Sequence, residues 1–187
     1  MRIISGNFKG KKIYEPKDIK TRPLKDLTKE SIFNIIAHSN KFSIDFKKSE
    51  ILDLFSGTGS FGIECLSRGV KYVTFVENYN GILPVLKKNL LSLEKIKNYK
   101  IIEQDIFKNF NLKNLEKKFD IVFIDPPYKE NDLTSLITLL INEKIVSARG
   151  IVIIHRHNKQ QDVFPSAFKV IEQKKYGISK VIFGSCS

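Results

Sequence analysis

The stretch from Ile51 to Gly69 constrains this chain more than any other. Ile51-Leu52-Asp53-Leu54-Phe55 is almost continuously apolar, which reads as a strand buried on both faces. It runs directly into Gly57-Thr58-Gly59-Ser60-Phe61-Gly62 and then into a helix through Leu66 that stops at Gly69. A buried strand, a glycine turn and a helix form the opening half of a βαβ unit.

The same alternation continues downstream. Tyr72 to Val76 reads as a strand, Ile82 to Leu91 as a helix, Lys100 to Glu103 and Phe119 to Ile124 as strands. Leu133, Leu136, Ile137, Leu140 and Ile141 make one helical face, and Gly150 to Ile154 is another buried strand. The pattern predicts an α/β fold, a mostly parallel, doubly wound sheet with helices on both faces. Phe168 to Lys174 and Ile178 to Phe183 flank Tyr176-Gly177 with no helix between them, which predicts a C-terminal antiparallel hairpin closing the sheet. Ahead of the sheet, Ile3-Ile4 and Ile13-Tyr14 around Gly6 to Gly10 predict a small hairpin. Thr28 is expected to cap a helix carrying Ile32, Phe33, Ile35 and Ile36.

Charge divides the chain. Of 32 basic and 20 acidic residues, residues 1–48 hold 12 and 5, a net +7 that leaves +5 for the other 139. We therefore expect two parts, a basic arm over 1–48 (hairpin plus helix) suited to nucleic acid and a nearly charge-balanced domain over 49–187. The competing reading of the lysine surplus is codon bias and a solvated face. No apolar run approaches the ~18 residues of a membrane span, and no leader peptide is expected ahead of Arg2. Two cysteines, Cys65 and Cys186, cannot build a disulfide framework or a four-ligand zinc site. The expectation is a cytoplasmic monomer without metal.

The glycine loop fits several nucleotides when taken alone. A P-loop is excluded because no Lys-Ser/Thr follows the glycines. Asp53 separates the two remaining candidates. A pyrophosphate on the helix N-terminus would be repelled by that carboxylate, whereas S-adenosylmethionine brings a cationic sulfonium and ammonium and no phosphate. Glu77, 24 residues after Asp53, is placed to hold a ribose diol, and Asp105 the exocyclic amine of adenine. Read blandly, Asp53 and Asp105 are helix caps and Glu77 a surface acid; three acids at three successive strand ends favour the cofactor. The full assigned set is Asp53, Phe55, Ser56, Gly57, Thr58, Gly59, Glu77, Asn78, Asp105, Ile106 and Asp125.

Asp125-Pro126-Pro127-Tyr128 follows the fourth expected strand. Two prolines force the chain rigidly off the sheet at its C-terminal edge, which accounts for Pro-Pro but not for the acid before it or the aromatic after it. The motif resembles the (Asn/Asp)-Pro-Pro-(Tyr/Phe) signature of class I methyltransferases acting on exocyclic amines. The chemistry fits: Asp125 and the Pro126 carbonyl can accept amine protons, Tyr128 can stack on a base, and Pro127 stiffens the turn. A carboxylate offers only acceptors and so matches the adjacent N1–H and N2–H of guanine better than the edge of adenine.

A narrower resemblance lies in the arm. Arg2-Ile3-Ile4-Ser5-Gly6, Lys9-Gly10-Lys11-Lys12, Arg22-Pro23 and Glu30-Ser31-Ile32-Phe33-Asn34 are similar to the R-I-I-G-G, R-G-R-K, R-P-T and E-T-L-F-N pattern of the RsmD family of 16S rRNA guanine-N2 methyltransferases. Asp53 to Gly59 and Gly62 to Gly69 resemble that family's D-L-F-A-G-S-G and G-L-E-A-L-S-R-G. The resemblance implies the Rossmann-like class I methyltransferase fold, S-adenosylmethionine, and a guanine N2 of 16S rRNA in assembled 30S subunits as substrate. The arm's expected RNA contacts are Arg2, Lys9, Lys11, Lys12, Arg22 and Lys25. Lys9 and Lys11-Lys12 stand where the family favours Arg, and Leu24 replaces the Thr after Arg-Pro. His155-Arg156 end the fifth strand where an acid is expected, and His155 is read as structural.

Other readings compete. A DNA adenine-N6 methyltransferase would need a target-recognition region for which this chain has no spare domain. A catalytically silent RNA-binding assembly factor would not need an intact loop and an intact Asp125 to Tyr128 motif. A cytosine-C5 enzyme would need a nucleophilic cysteine near that motif, where neither cysteine falls.

Overall fold

The computed structural model describes residues 1–16, 24–108, 112–115, 117–127 and 132–186. Arg22, Pro23 and Tyr128 therefore lie outside the described residues. Five strands run parallel, β1 (Glu50–Leu54), β2 (Tyr72–Val76), β3 (Tyr99–Ile102), β4 (Phe119–Ile124) and β5 (Val146–His157). The hairpin of β6 (Phe168–Tyr176) and β7 (Ser179–Cys186) adds antiparallel, with β7 against β5, giving the order β3-β2-β1-β4-β5-β7-β6. Strand order reverses between β1 and β4, and the crevice at such a switch point is where open α/β sheets bind ligands.

Alternation along the strands sorts the core onto two faces. Ile51, Phe75, Ile121, Phe123, Ile153 and Phe183 pack with α1 (Asp26–His38), α2 (Ser60–Ser67) and α3 (Leu83–Leu91). Leu52, Leu54, Val122, Ile124, Val152 and Ile182 pack with α4 (Leu133–Asn142). The expected doubly wound sheet is therefore present, with its closing hairpin. Phe61 of α2 stacks on Phe123 of β4 at 4.0 Å between ring centroids, and Phe33 of α1 stacks on Phe61 at 5.2 Å, so three elements share one aromatic column.

Two expectations are corrected. Thr28 does not cap α1: the helix begins at Asp26 behind Lys25, which makes no side-chain cap, and Thr28 is buried within the first turn. Leu24, buried just ahead of the helix, anchors its start instead. β5 starts at Val146, not Gly150. Val146 pairs with Phe119, the register then shifts, and Ile151 pairs with Ile121. A Cβ at Gly150 would lie 2.8 Å from the Phe119 carbonyl oxygen, so this bulge needs a glycine.

The N-terminal hairpin forms as expected around an antiparallel bridge between Arg2 and Lys12. It is built into the domain. Ile3 and Ile13 belong to the same core as β1 and α2. Glu64 of α2, fully buried, accepts from the N–H groups of Ile4 (2.7 Å) and Ser5 (2.9 Å) and from Arg68 Nε (2.9 Å), and lies 3.8 Å from the equally buried Lys29 Nζ. Lys29 in turn donates to the Arg2 carbonyl (2.7 Å) and Ser60 Oγ (3.1 Å). Gly6, at φ +83°, passes so close to α2 that a Cβ would sit 1.9 Å from the Ser67 carbonyl oxygen.

Candidate active site

The C-terminal ends of β1 to β4 collect carboxylates. Asp53 sits in β1 on the α2 side and is 1 % exposed; its Oδ2 accepts from the Gly62 N–H at 3.0 Å, in the first turn of α2. Asp53 thus caps α2 from beneath the loop, as its bland sequence reading allowed. Gly62 permits the approach, since a Cβ there would lie 2.3 Å from Phe75 and 2.9 Å from Asp53 Oδ2. Burial drives the Asp53 carboxyl well above the ordinary carboxylate range, and the neighbouring charges of Asp125 and Glu77 push the same way against the Gly62 hydrogen bond.

The loop is braced at its start as well. Phe55 leaves β1 with φ +59°, in the left-handed region that a non-glycine residue adopts only under constraint. Ser56 Oγ donates to the Asp53 carbonyl at 2.6 Å and accepts from the Val76 N–H at 3.0 Å, tying β1 to β2. Glu77 follows β2 and is buried; its Oε2 accepts from the Gly57 N–H at 2.8 Å and its Oε1 from the N–H groups of Asn78 and Tyr79 at 2.9 Å each. Its carboxylate therefore shapes the loop, whatever else it holds. Gly57 and Gly59 both take positive φ, 55° and 79°. Asn89 of α3 donates from Nδ2 to the Thr58 carbonyl (2.9 Å) and to the Tyr14 carbonyl (3.1 Å), and its Oδ1 accepts from the Tyr14 N–H (2.8 Å). One buried amide thus joins the loop to the arm. Past β3, Asp105 Oδ1 accepts from the Phe107 N–H at 2.9 Å, and Ile106 is buried in the face shared with α4.

Asp125 leaves β4 beside this loop. Its N–H donates to the Leu54 carbonyl at 3.3 Å, and its Oδ1 lies 2.8 Å from His155 Nδ1. Pro126 is buried and Pro127 exposed. His155 is read from sequence as structural, yet the structure sets it against the motif acid. The available signal was register: His155 continues the buried series Ile151, Ile153 on the same face as Asp125. Lys29, Glu64 and Asn89 were missed too. Lys29 shares a helical face with Ile32, Phe33 and Ile36, and Asn89 one with Leu86 and Leu90, where a polar residue needs buried partners.

Of the expected RNA contacts, Arg2, Lys9, Lys12 and Lys25 are exposed. Lys11 is half-buried and donates from Nζ to the Ser92 carbonyl beyond α3. Cys65 is buried and burial pushes its thiol up, which removes it as a nucleophile. A cavity of about 460 Å³ lined by Ser31, Asn34, His38, Glu172 and Lys174 belongs to α1 and the edge strand β6, and holds neither loop nor motif residues.

A family model described as conserved hypothetical protein 95 matches residues 1–185. A Buchnera aphidicola protein named ribosomal RNA small subunit methyltransferase D is 33% identical over 172 residues, 92% of this chain and 86% of its own. The chain belongs to the RsmD-type methyltransferase family. A Haemophilus influenzae protein of the same name is 30% identical over 179 residues, covering 95% and 90%. Among solved structures, yhhF of Escherichia coli superposes with a TM-score of 0.80 at 23% identity, over 100% of this RsmD-type chain and 98% of its own, which shows the shared class I methyltransferase fold.

The chemistry of the donor set tests whether the site suits S-adenosylmethionine. Burial, with the charges of Asp125 and Glu77 adding to it, raises the cost of ionising Asp53, so a cationic ligand relieves the site and a pyrophosphate strains it further. The residues fit a sulfonium cofactor. Glu77 and Asp105 would hold its polar groups, and the loop from Phe55 to Gly59 would carry it.

Proposed function

We propose that this chain transfers a methyl group from S-adenosylmethionine to the exocyclic N2 of a guanine in 16S rRNA, taken from the 30S subunit. The observation that carries the reading is the meeting of the glycine loop after β1 with the Asp125-Pro126-Pro127 corner after β4 at the switch point of the sheet. The names of the relatives support an rRNA substrate. When bound, S-adenosylmethionine supplies an electrophilic methyl on a sulfonium, the C–S electron pair staying with sulfur as the amine nitrogen bonds to carbon.

The chain's own groups do the rest. A conjugated amine is a poor nucleophile, because its lone pair is delocalised into the base. Asp125 and the Pro126 carbonyl accept its two N–H groups, localising the lone pair toward the methyl, and the carboxylate takes the proton that the alkylated nitrogen loses. Pro126 and Pro127 fix the approach direction, and Tyr128 is assigned by sequence to stack on the base. Arg2, Lys9, Lys12 and Lys25 present the charge for phosphates.

The test is nucleoside mass spectrometry of 16S rRNA after incubating unmethylated 30S subunits with the protein and labelled cofactor. N2-methylguanosine is expected; label in adenine N6, or in no nucleoside, refutes the reading. Asp125→Ala is expected to lose most turnover while cofactor affinity persists, and full activity in that variant would remove Asp125 from the chemistry.

A further inference from the structure

The hydrogen bond between His155 and Asp125 joins a buried, titratable side chain to the acid of the motif. His155 lies one strand over from Asp125, on β5, and its imidazole Nδ1 stands 2.8 Å from Asp125 Oδ1. Asp125 is 22 % exposed on its side chain and His155 only 10 %. One carboxylate oxygen is thus fixed against the ring, while the side chain as a whole keeps partial exposure. The strand on the far side, β7, sets Val181 opposite His155, an apolar neighbour. The adjacent cations, Arg156 and Lys180, pair with Asp162. Among the described residues, Asp125 is the charged group against the ring, and Asp53 and Glu77 follow along the same edge.

We propose that His155 is a positioning residue for methyl transfer: it holds Asp125 Oδ1 so that Oδ2 faces the substrate amine, and its charge state sets how readily that carboxylate takes the amine proton. This rests on the reading of Asp125 given above. In either charge state the Nδ1–H can donate to Oδ1. With His155 neutral, the carboxylate keeps its full negative charge. It then accepts the proton released when the N–C bond forms, ending as a neutral acid hydrogen-bonded to a neutral imidazole. With His155 protonated, the carboxylate is already compensated by a cation, and taking up the amine proton would leave an uncompensated imidazolium in a largely buried place. The pair is therefore productive only with neutral His155. Burial lowers the basicity of the ring, but the opposing pull of the Asp125 charge and hydrogen bond prevails and raises it above its ordinary value of 6.5. The productive state consequently fills in as pH rises through a value above 6.5.

The experiment compares wild type with His155→Leu, which removes the donor, and His155→Asn, whose side-chain amide replaces the Nδ1–H but does not titrate. Turnover of 30S subunits is measured against pH, and the imidazole titration is followed by NMR in the free protein and in Asp125→Asn. In wild type, kcat/KM should rise with pH along a limb whose midpoint lies above 6.5 and matches the NMR titration of the free protein. His155→Leu should lose roughly 10- to 100-fold in kcat, the range for a lost hydrogen bond to a charged group, with KM and cofactor affinity little changed. His155→Asn should recover most of that loss and show no limb. In Asp125→Asn the NMR midpoint should fall. Wild-type kcat in His155→Leu, a limb that persists in either His155 variant, or an NMR midpoint indifferent to Asp125→Asn would each overturn the proposal. If His155→Leu does not fold, the His155→Asn profile and the NMR titration decide. If Asp125→Ala stays active the catalytic reading itself fails, whereas an inactive Asp125→Ala beside a fully active, pH-responsive His155→Asn defeats only the role of His155.

Discussion

Replacing Glu64 by alanine should unseat the arm and cost the protein about 3–5 kcal/mol, the range for breaking one side of a buried ion pair. Glu64 is completely buried and accepts four interactions: two backbone N–H groups of the arm, Arg68 Nε, and the charge of Lys29. Removing it orphans the N–H groups of Ile4 and Ser5, worth about 1–3 kcal/mol each if they stay dry. It also strips Lys29 of its buried counter-charge. These losses do not add, because an arm that lifts away lets water reach both donors. Against a total stability of about 5–15 kcal/mol the effect is large. Its pH dependence has a definite sign. Burial holds the Lys29 ammonium below 10.5 even with Glu64 and Asp26 pulling it up. A base whose folded pKa is depressed gains stability as pH rises through the folded value toward the unfolded one. Without Glu64 the depression deepens, so the deficit of the variant should shrink as pH rises toward 10.5. Urea unfolding followed by circular dichroism gives the energy, and hydrogen exchange at Ile3, Ile13 and Gly10 reports whether the arm has come free. A loss below about 1 kcal/mol with unchanged exchange would show that the network does not hold the arm.

Three further outcomes follow from the same geometry. Glu77→Ala should weaken S-adenosylmethionine binding by about 1.5–3 kcal/mol, a charge-assisted hydrogen bond lost along with the brace on Gly57; calorimetry returning wild-type affinity would take Glu77 out of the site. Because the folded pKa of His155 is raised, its stabilising contribution is complete below 6.5 and is lost as pH climbs through the folded value, so urea unfolding of wild type should weaken over that window while His155→Asn stays flat by comparison. Lys9 and Lys12 replaced together by alanine should flatten the salt dependence of RNA binding by about 0.7–0.9 in log–log slope per lost phosphate contact, and a matched Lys95 and Lys97 pair showing the same change would reduce the effect to net charge.

The fold was legible because its signals are local. Buried parallel strands announce themselves as unbroken apolar runs, and glycine turns and prolines mark where the chain leaves them, so β1, β2 and β4 need little correction. The bulge at Gly150 was not legible, since it depends on how Phe119 and Val146 meet across the sheet. The position of Asp53 and Glu77 could be read, but not their hydrogen bonds. An acid after a strand looks the same in sequence whether it faces a ligand or caps a helix, and here both carboxylates grip backbone N–H groups. His155 escaped for a related reason. Its partner lies 30 residues away on the adjacent strand, and only the register of β4 against β5 brings the two together.

The arm changes meaning once its attachment is seen. Counting charge marks residues 1–48 as a basic appendage, yet Ile3 and Ile13 lie in the domain's core, and Glu64, Ser67 and Asn89 hold its backbone. Deleting it would remove core as well as charge, so truncation cannot separate an RNA contact from a folding defect. Point replacements can, but the four lysines and two arginines read from sequence are not equivalent. Lys11 spends its ammonium on the Ser92 carbonyl, whereas Lys9, in the hairpin turn, and Lys12, in the bridge to Arg2, are exposed. Asn89 carries this logic to the catalytic edge, since the same amide that clasps Tyr14 also grips the Thr58 carbonyl of the glycine loop. On the proposed reading, the arm that would meet phosphates is thereby tied to a crevice whose carboxylates repel them, and the two signs of charge would sort the RNA: backbone toward the arm, an uncharged base toward Asp125.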